Sequence, residues 1–188
     1  MSLRCAVAGL NRGVNFVNRL QENAHCEVVA VCDPRPEKLA EHPDLQGFAK
    51  FDEMLESVRP DLVAIITPGP LHARQSVAAL EAGAHVLCET PNVYSADEAR
   101  SVVESARRND RRYMLAEDYI YMGWCGRLAK LIEQGMLGEI IGAMAEYTHD
   151  CRPVRPLSDA TEAHTKSWRF TDLPPLAYAS HTLGPLLQ

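Results

Sequence analysis

The sequence predicts an α/β fold: a doubly wound parallel sheet, followed by the start of a second, open-sheet α/β domain. Three observations carry this. Short, nearly continuous apolar runs recur through residues 3–117. Amphipathic helical stretches separate them, which is the pattern of strands covered on both faces. The rhythm then changes near residue 120, so the domains are expected at 1–120 and 121–188.

Each element has its own signal. Leu3 to Ala8 is an apolar strand, and a helix follows from Gly13 to Glu22. Cys26 to Asp33 is a second strand, with a short helix over Pro36 to Glu41. Phe51 to Val58 is helical and Asp61 to Thr67 is a strand. Leu71 to Ala82 forms a helix that Gly83 stops. His85 to Cys88 is a strand. Ser95 opens a helix with a capping box, because Glu98 lies three residues on; that helix runs to Arg108. Tyr113 to Glu117 is the next strand, and the crossovers should be right-handed. Beyond it, Trp124 to Gln134 reads as a helix ended by Gly135. Glu139 to His149 alternates apolar and polar residues, as a strand with one buried face does. Residues 151–166 read as a polar loop, and Pro174 to Gln188 is apolar.

Composition narrows the function. The 188 residues are 46% hydrophobic and 23% charged, with a net charge of -6. That balance excludes a nucleic-acid backbone as the main partner, since phosphate neutralisation needs clustered Lys and Arg. The cluster Arg107, Arg108, Arg111 and Arg112 is interrupted by Asp110 and reads as a solvated helix end. No apolar run is long enough for a bilayer, and no signal-peptide pattern opens the chain. The six cysteines form no Cys-x-x-Cys pair. They read as buried free thiols of a reducing cytoplasm, with no metal site.

The first strand runs into Gly9-Leu10-Asn11-Arg12-Gly13-Val14. A dinucleotide fingerprint places glycine at the first, third and sixth positions of such a turn. Gly9 supplies the tight turn, Asn11 tolerates left-handed angles, and Gly13 sits beside the expected third glycine. Taken alone, this turn is equally a plain strand-to-helix connection. Asp33 adds weight. It ends the second strand 24 residues after Gly9, near the roughly 20-residue spacing of a carboxylate that bonds a ribose hydroxyl. Asp33 also fits a helix N-cap, because Asp-Pro often opens a helix. Gly9, Asn11, Arg12, Gly13 and Asp33 together point to a Rossmann-type cofactor site. Asp33 favours NAD over NADP, with Arg35 softening the repulsion of a 2′-phosphate.

Longer motifs agree. They are Val31-Cys32-Asp33-Pro34, then Thr67-Pro68 with His72, then the run Ala79 to Pro91 containing Glu89-Thr90-Pro91. Ala116-Glu117-Asp118-Tyr119 and Leu137-Gly138-Glu139-Ile140 continue them. With these motifs the chain resembles the Gfo/Idh/MocA family over nearly its whole length. The resemblance implies that Thr67, Pro68 and His72 line the cofactor and that Glu89 faces the nicotinamide ribose. The bland alternatives are a polar helix-start residue for His72 and a surface carboxylate for Glu89. The family's Glu-Lys-Pro is here Glu89-Thr90-Pro91. A threonine hydroxyl has no useful pKa near neutrality and cannot replace the lysine as an acid or base.

A lysine-lacking branch of the family, similar to NAD-dependent α-N-acetylgalactosaminidases, carries Tyr-x-x-His-x-x-Gly-Pro. Here Tyr178, His181, Gly184 and Pro185 match it. That resemblance implies catalytic roles for His181, Tyr178 and Tyr119; the bland alternative for His181 is a core or capping histidine. The expected function is NAD(P)-dependent hydride transfer on a sugar or polyol. One alternative is glycoside cleavage through transient oxidation at C3. The other is a silent cofactor-binding protein. The apolar stretch Leu183 to Leu187 further predicts a homo-oligomer, or a chain that aggregates with little turnover by itself.

Overall fold

The computed structural model describes residues 2–148 and 177–187. It divides into two compact units, Met1–Ala116 and Glu117–Gln188, and each is treated by itself.

The first unit is a parallel sheet of six strands in the order β3-β2-β1-β4-β5-β6. The strands are β1 (Leu3–Ala8), β2 (Cys26–Cys32), β3 (Gln46–Phe48), β4 (Leu62–Ile65), β5 (His85–Cys88) and β6 (Tyr113–Leu115). The helices are α1 (Gly13–Gln21), α2 (Pro36–Ala40), α3 (Phe51–Val58), α4 (His72–Glu81) and α5 (Ala96–Arg108). Strand order reverses between β1 and β4, and ligands of such sheets bind at that crevice.

Successive side chains of a strand point to opposite faces, so one strand feeds two cores. On β1, Ala6 and Ala8 join the core that contains Met54 of α3 and Leu80 of α4. Cys5 and Val7 join the other, with Val17 of α1. On β4, Val63 and Ile65 divide from Ala64 in the same way. Met54 and Leu80 are fully buried. Each contributes roughly 1.5–3 kcal/mol by burial, and Leu80→Ala would cost about 2–5 kcal/mol.

Local chemistry sets the ends. Ser95 Oγ accepts from the Glu98 amide at 3.1 Å, as the capping box requires. Its reciprocal arm is displaced by one residue, since Glu98 Oε2 accepts from the Tyr94 amide at 2.6 Å. Gly83, at φ 90°, takes the left-handed turn between α4 and β5. Strand β3 has no counterpart in the sequence reading. It is an edge strand of three residues, made by pairing with β2 rather than by its own propensity.

In the second unit, a 3-10 turn (Tyr119–Tyr121) leads to α6 (Gly123–Glu133), and α7 covers Ser180–Leu186. The strand expected over Glu139 to His149 is not formed at 139–148; His149 lies outside the described residues. Ile141 and Met144 are 97% and 95% exposed, so the alternation buries no face here. The physical reason is pairing. A strand satisfies its amides and carbonyls through a neighbour, and no other strand lies among the described residues of this unit. The loop expected at 151–166 also lies outside the described residues. Among those described, no helix is long and apolar enough to cross a membrane.

Candidate functional site

In the first unit, the candidate residues follow the carboxyl ends of the parallel strands. Gly9 follows β1 at φ 87°, and a Cβ there would lie 2.5 Å from the Ile66 carbonyl oxygen. The turn after β1 is thus pressed against the end of β4, at the reversal point. Gly13 opens α1, and a Cβ on it would meet Val7 Cγ1 at 3.2 Å. Gly9 and Gly13 therefore fill the two packing roles of a glycine-rich turn. Asn11 and Arg12 are exposed between them. The N-cap residue Arg12 makes no side-chain cap to α1, and although the Asn15 amide donates to the Arg12 carbonyl at 3.1 Å, the start of the helix still suits an anion.

Asp33 is only 2% exposed. Its Oδ2 accepts from the Leu10 amide at 2.9 Å and from Arg35 Nη2 at 2.9 Å. Its Oδ1 accepts from the Arg35 amide at 3.1 Å and from Arg35 Nε at 2.8 Å. Burial pushes the carboxyl up, but the Arg35 fork and the two amides outweigh it and hold Asp33 below the usual carboxylate range. Asp33 thereby ties the Gly9 turn to the end of β2. It caps no side of α2, whose N-cap is Arg35.

Thr67 follows β4, and its hydroxyl donates to Gln75 of α4. Pro68 is exposed beside it. His72, 1% exposed, lies with Nδ1 2.8 Å from the Pro91 carbonyl and Nε2 2.6 Å from the Thr67 carbonyl. Burial lowers its pKa, against the raising effect of these carbonyls. With one N–H in its neutral form, His72 donates to one of these two carbonyls and packs against the other, between the loop after β4 and the loop after β5. Glu89 is buried at the end of β5, and Arg12 Nη2 lies 3.7 Å from its Oε1. Thr90 is buried next to it, with Oγ1 3.5 Å from Glu89 Oε1.

In the second unit, Tyr119, Tyr178 and His181 come together. The His181 ring stacks on Tyr119 at 4.5 Å and on Tyr178 at 5.5 Å. Tyr147 meets it edge-on at 4.8 Å. Beneath this aromatic group, His181 Nδ1 lies 2.7 Å from Glu117 Oε1, and both side chains are 7% exposed. The Tyr119 amide also donates to Glu117 Oε1, at 3.0 Å. Burial raises the Glu117 pKa, and hydrogen bonds from Ser180, His181 and the Tyr119 amide more than reverse it, leaving it lowered. An ionised Glu117 only accepts, so Nδ1 carries a proton and Nε2 is the ring nitrogen left for another partner. Gly184 permits the approach of α7, because a Cβ there would lie 2.8 Å from Ile120 Cγ2.

Glu117, Asp118 and His181 place one ligand atom each within 4.8 Å of one another. The direct hydrogen bond between Glu117 and His181 already uses two of those atoms, which argues for a dyad rather than a cation site. Reading the sequence missed Glu117 as a site residue, the Arg35 fork, and Tyr147. Glu117 did leave a signal: like Asp33 and Glu89 it is an acid just past an apolar strand. Tyr147 left none, because its placement is tertiary.

Residues 3–117 match the family described as "Oxidoreductase family, NAD-binding Rossmann fold". Over 99% of its length the chain is 29% identical to a "Glycosyl hydrolase family 109 protein 2" of Phocaeicola vulgatus, covering 49% of that relative. It is 28% identical to an "Alpha-N-acetylgalactosaminidase" of Bacteroides fragilis, covering 99% of this chain and 48% of the relative. It is 30% identical, over 79% of its length, to a "D-glucoside 3-dehydrogenase" of Escherichia coli, covering 44% of that protein. The chain therefore spans about half the length of the curated relatives it matches. Among solved structures, scyllo-inositol dehydrogenase of Lactobacillus casei with NAD(H) and scyllo-inositol shares the fold at a TM-score of 0.69 and 21% identity, over 74% of this chain and 43% of that one. The WlbA dehydrogenase of Bordetella pertussis, with NADH and UDP-GlcNAcA, does so at 0.68 and 25%, over 73% and 44%.

Proposed function

The chain belongs to the Gfo/Idh/MocA oxidoreductase family, and from that premise we propose that it binds NAD and acts on a glycoside through transient oxidation of the sugar at C3. The donor set of the first unit fits the cofactor. The uncapped N-terminus of α1 suits a pyrophosphate, and Gly9 and Gly13 keep the backbone close enough to hold one. In this reading Asp33 and Arg35, just past β2, would meet the adenosine ribose, and Thr67, Pro68 and Glu89, just past β4 and β5, would line the rest of the cofactor.

Bound NAD would supply a reversible hydride acceptor for C3. The rest falls to the chain. With C3 oxidised, the C2 proton is acidic, and a base that removes it expels the anomeric group. Water then adds, and return of the hydride leaves no net NADH. His181 is the base in this reading: its Nδ1 is fixed by Glu117 and Nε2 is left to accept. Tyr119 and Tyr178 orient sugar hydroxyls. The single observation that carries the glycosidase mode is this buried Glu117–His181 pair, in a chain whose Thr90 stands where the family has lysine.

A second reading, a sugar or polyol dehydrogenase, is favoured by the likeness to the D-glucoside 3-dehydrogenase. One assay separates the two. Release of the aryl group from an aryl α-N-acetylgalactosaminide with NAD and no net NADH supports glycoside cleavage. Net NADH from a polyol or glycoside supports the dehydrogenase. Cofactor binding with neither product would return the chain to a silent cofactor-binding role.

A further inference from the structure

The pairing of Asp33 with Arg35 changes what the ribose end of the site presents. An ionised carboxylate offers about four lone-pair positions. Asp33 fills them with protein donors: the Leu10 amide and Arg35 Nη2 on Oδ2, the Arg35 amide and Nε on Oδ1. A ribose diol finds no open acceptor there while the fork is closed. The guanidinium, by contrast, keeps donors in reserve. Of its five N–H groups, two serve Asp33 and one points to Asn11 Oδ1 at a long 3.4 Å. Its side chain is 42% exposed and that of Asp33 only 3%. The accessible charge at this strand end is therefore the cation, and the carboxylate beneath it is neutralised.

We propose that Arg35 is the cofactor-discriminating residue of this chain, which takes NADP as well as NAD by seating the 2′-phosphate on the outer edge of the Arg35 guanidinium. The inference rests on the cofactor reading above and goes beyond the expectation from Asp33 alone. A bare aspartate at this position repels a 2′-phosphate, whereas a nearby arginine accommodates it. Here both are present and the arginine is outermost. Its planar fork grips the aspartate with one edge and leaves the other for phosphate.

Calorimetric titration of the chain with NAD and with NADP tests this without turnover. The two affinities should lie within about tenfold of each other, a difference of about 1.4 kcal/mol. Arg35→Ala uncovers Asp33, and NADP should weaken by roughly 10–100-fold, the range of one or two charge-assisted contacts, while NAD should tighten, because the freed carboxylate can accept from the ribose diol. Asp33→Asn keeps an acceptor for Leu10 and removes the anion, so the NADP-to-NAD preference should rise. That second variant decides the matter where Arg35→Ala leaves a buried carboxylate too destabilising to fold. NAD binding with NADP more than a hundredfold weaker, or an unchanged ratio in either folded variant, would overturn the role of Arg35 alone. Failure of NAD itself to bind would overturn the cofactor reading with it.

Discussion

Gly9 sits against Ile66 so closely that a single added carbon would lie 2.5 Å from the Ile66 carbonyl oxygen. The neighbour is backbone of a buried strand end and cannot swing aside. Gly9 also sits at φ 87°, where an L side chain is strained even in open space. Gly9→Ala should therefore destabilise the first unit by about 2–4 kcal/mol, the range of clashes and left-handed strain combined. Urea unfolding checks this. A midpoint equal to that of the parent would mean that the turn relaxes at no cost.

The buried thiols give a second prediction. Burial comes first in pushing Cys5 and Cys32 up to about 12, and Cys88 up to about 11. The thiolate is the reactive form. At pH 8 these three cysteines should resist iodoacetamide in the native chain and label fully once it is unfolded. Mass mapping of labelled peptides reads this directly, and rapid native labelling of Cys88 would contradict its burial.

His72 makes stability depend on pH. Its folded pKa is lowered, chiefly by burial. Between that value and the unfolded value of about 6.5, the unfolded chain binds a proton that the folded chain refuses. Stability then rises with pH, because the unfolded state holds more protons. The contribution is fully present above about pH 6.5 and is lost as pH falls through the window below it. Melting temperature should decline between pH 7.5 and pH 5.5, and His72→Gln should flatten that decline. His72→Ala should cost about 1–3 kcal/mol for the one carbonyl that the single N–H of neutral His72 pairs. A pH-independent melting temperature in the parent would remove His72 from this role.

The sheet, with its order of strands and helices, was legible because each strand carries an unbroken apolar run and each helix its own cap or stop. Strand β3 was not, since three residues carry no period and depend on β2 for pairing. The alternation over 139–148 was legible as a pattern but formed no strand, because alternation specifies a face and not a partner. Residues of the candidate site were legible where they follow strands, as with Gly9, Asp33 and Glu89. What those residues touch was not. The sequence put Arg35 two places after Asp33, but the closed fork is a matter of rotamers.

The last prediction concerns His181 and Glu117. In the proposed reaction a base must take the proton from carbon, and the nitrogen that does so must be unprotonated and pointed. Glu117 accepts from His181 Nδ1 at 2.7 Å inside the unit, which fixes the ring and leaves Nε2 as the nitrogen for that proton. His181→Ala should lower turnover by roughly 10²–10⁴-fold, the usual contribution of a general base. Glu117→Gln keeps the shape but lets an amide face the ring in either orientation, so the tautomer is no longer enforced. It should also reduce turnover, by less than His181→Ala, with substrate KM nearly unchanged. Because the two residues act as one unit, the double variant should be little worse than His181→Ala alone. Neither change should alter NAD affinity, and Thr90→Ala should be mild. Two additive losses would show that Glu117 and His181 work separately, and full activity in His181→Ala would remove the base from the mechanism.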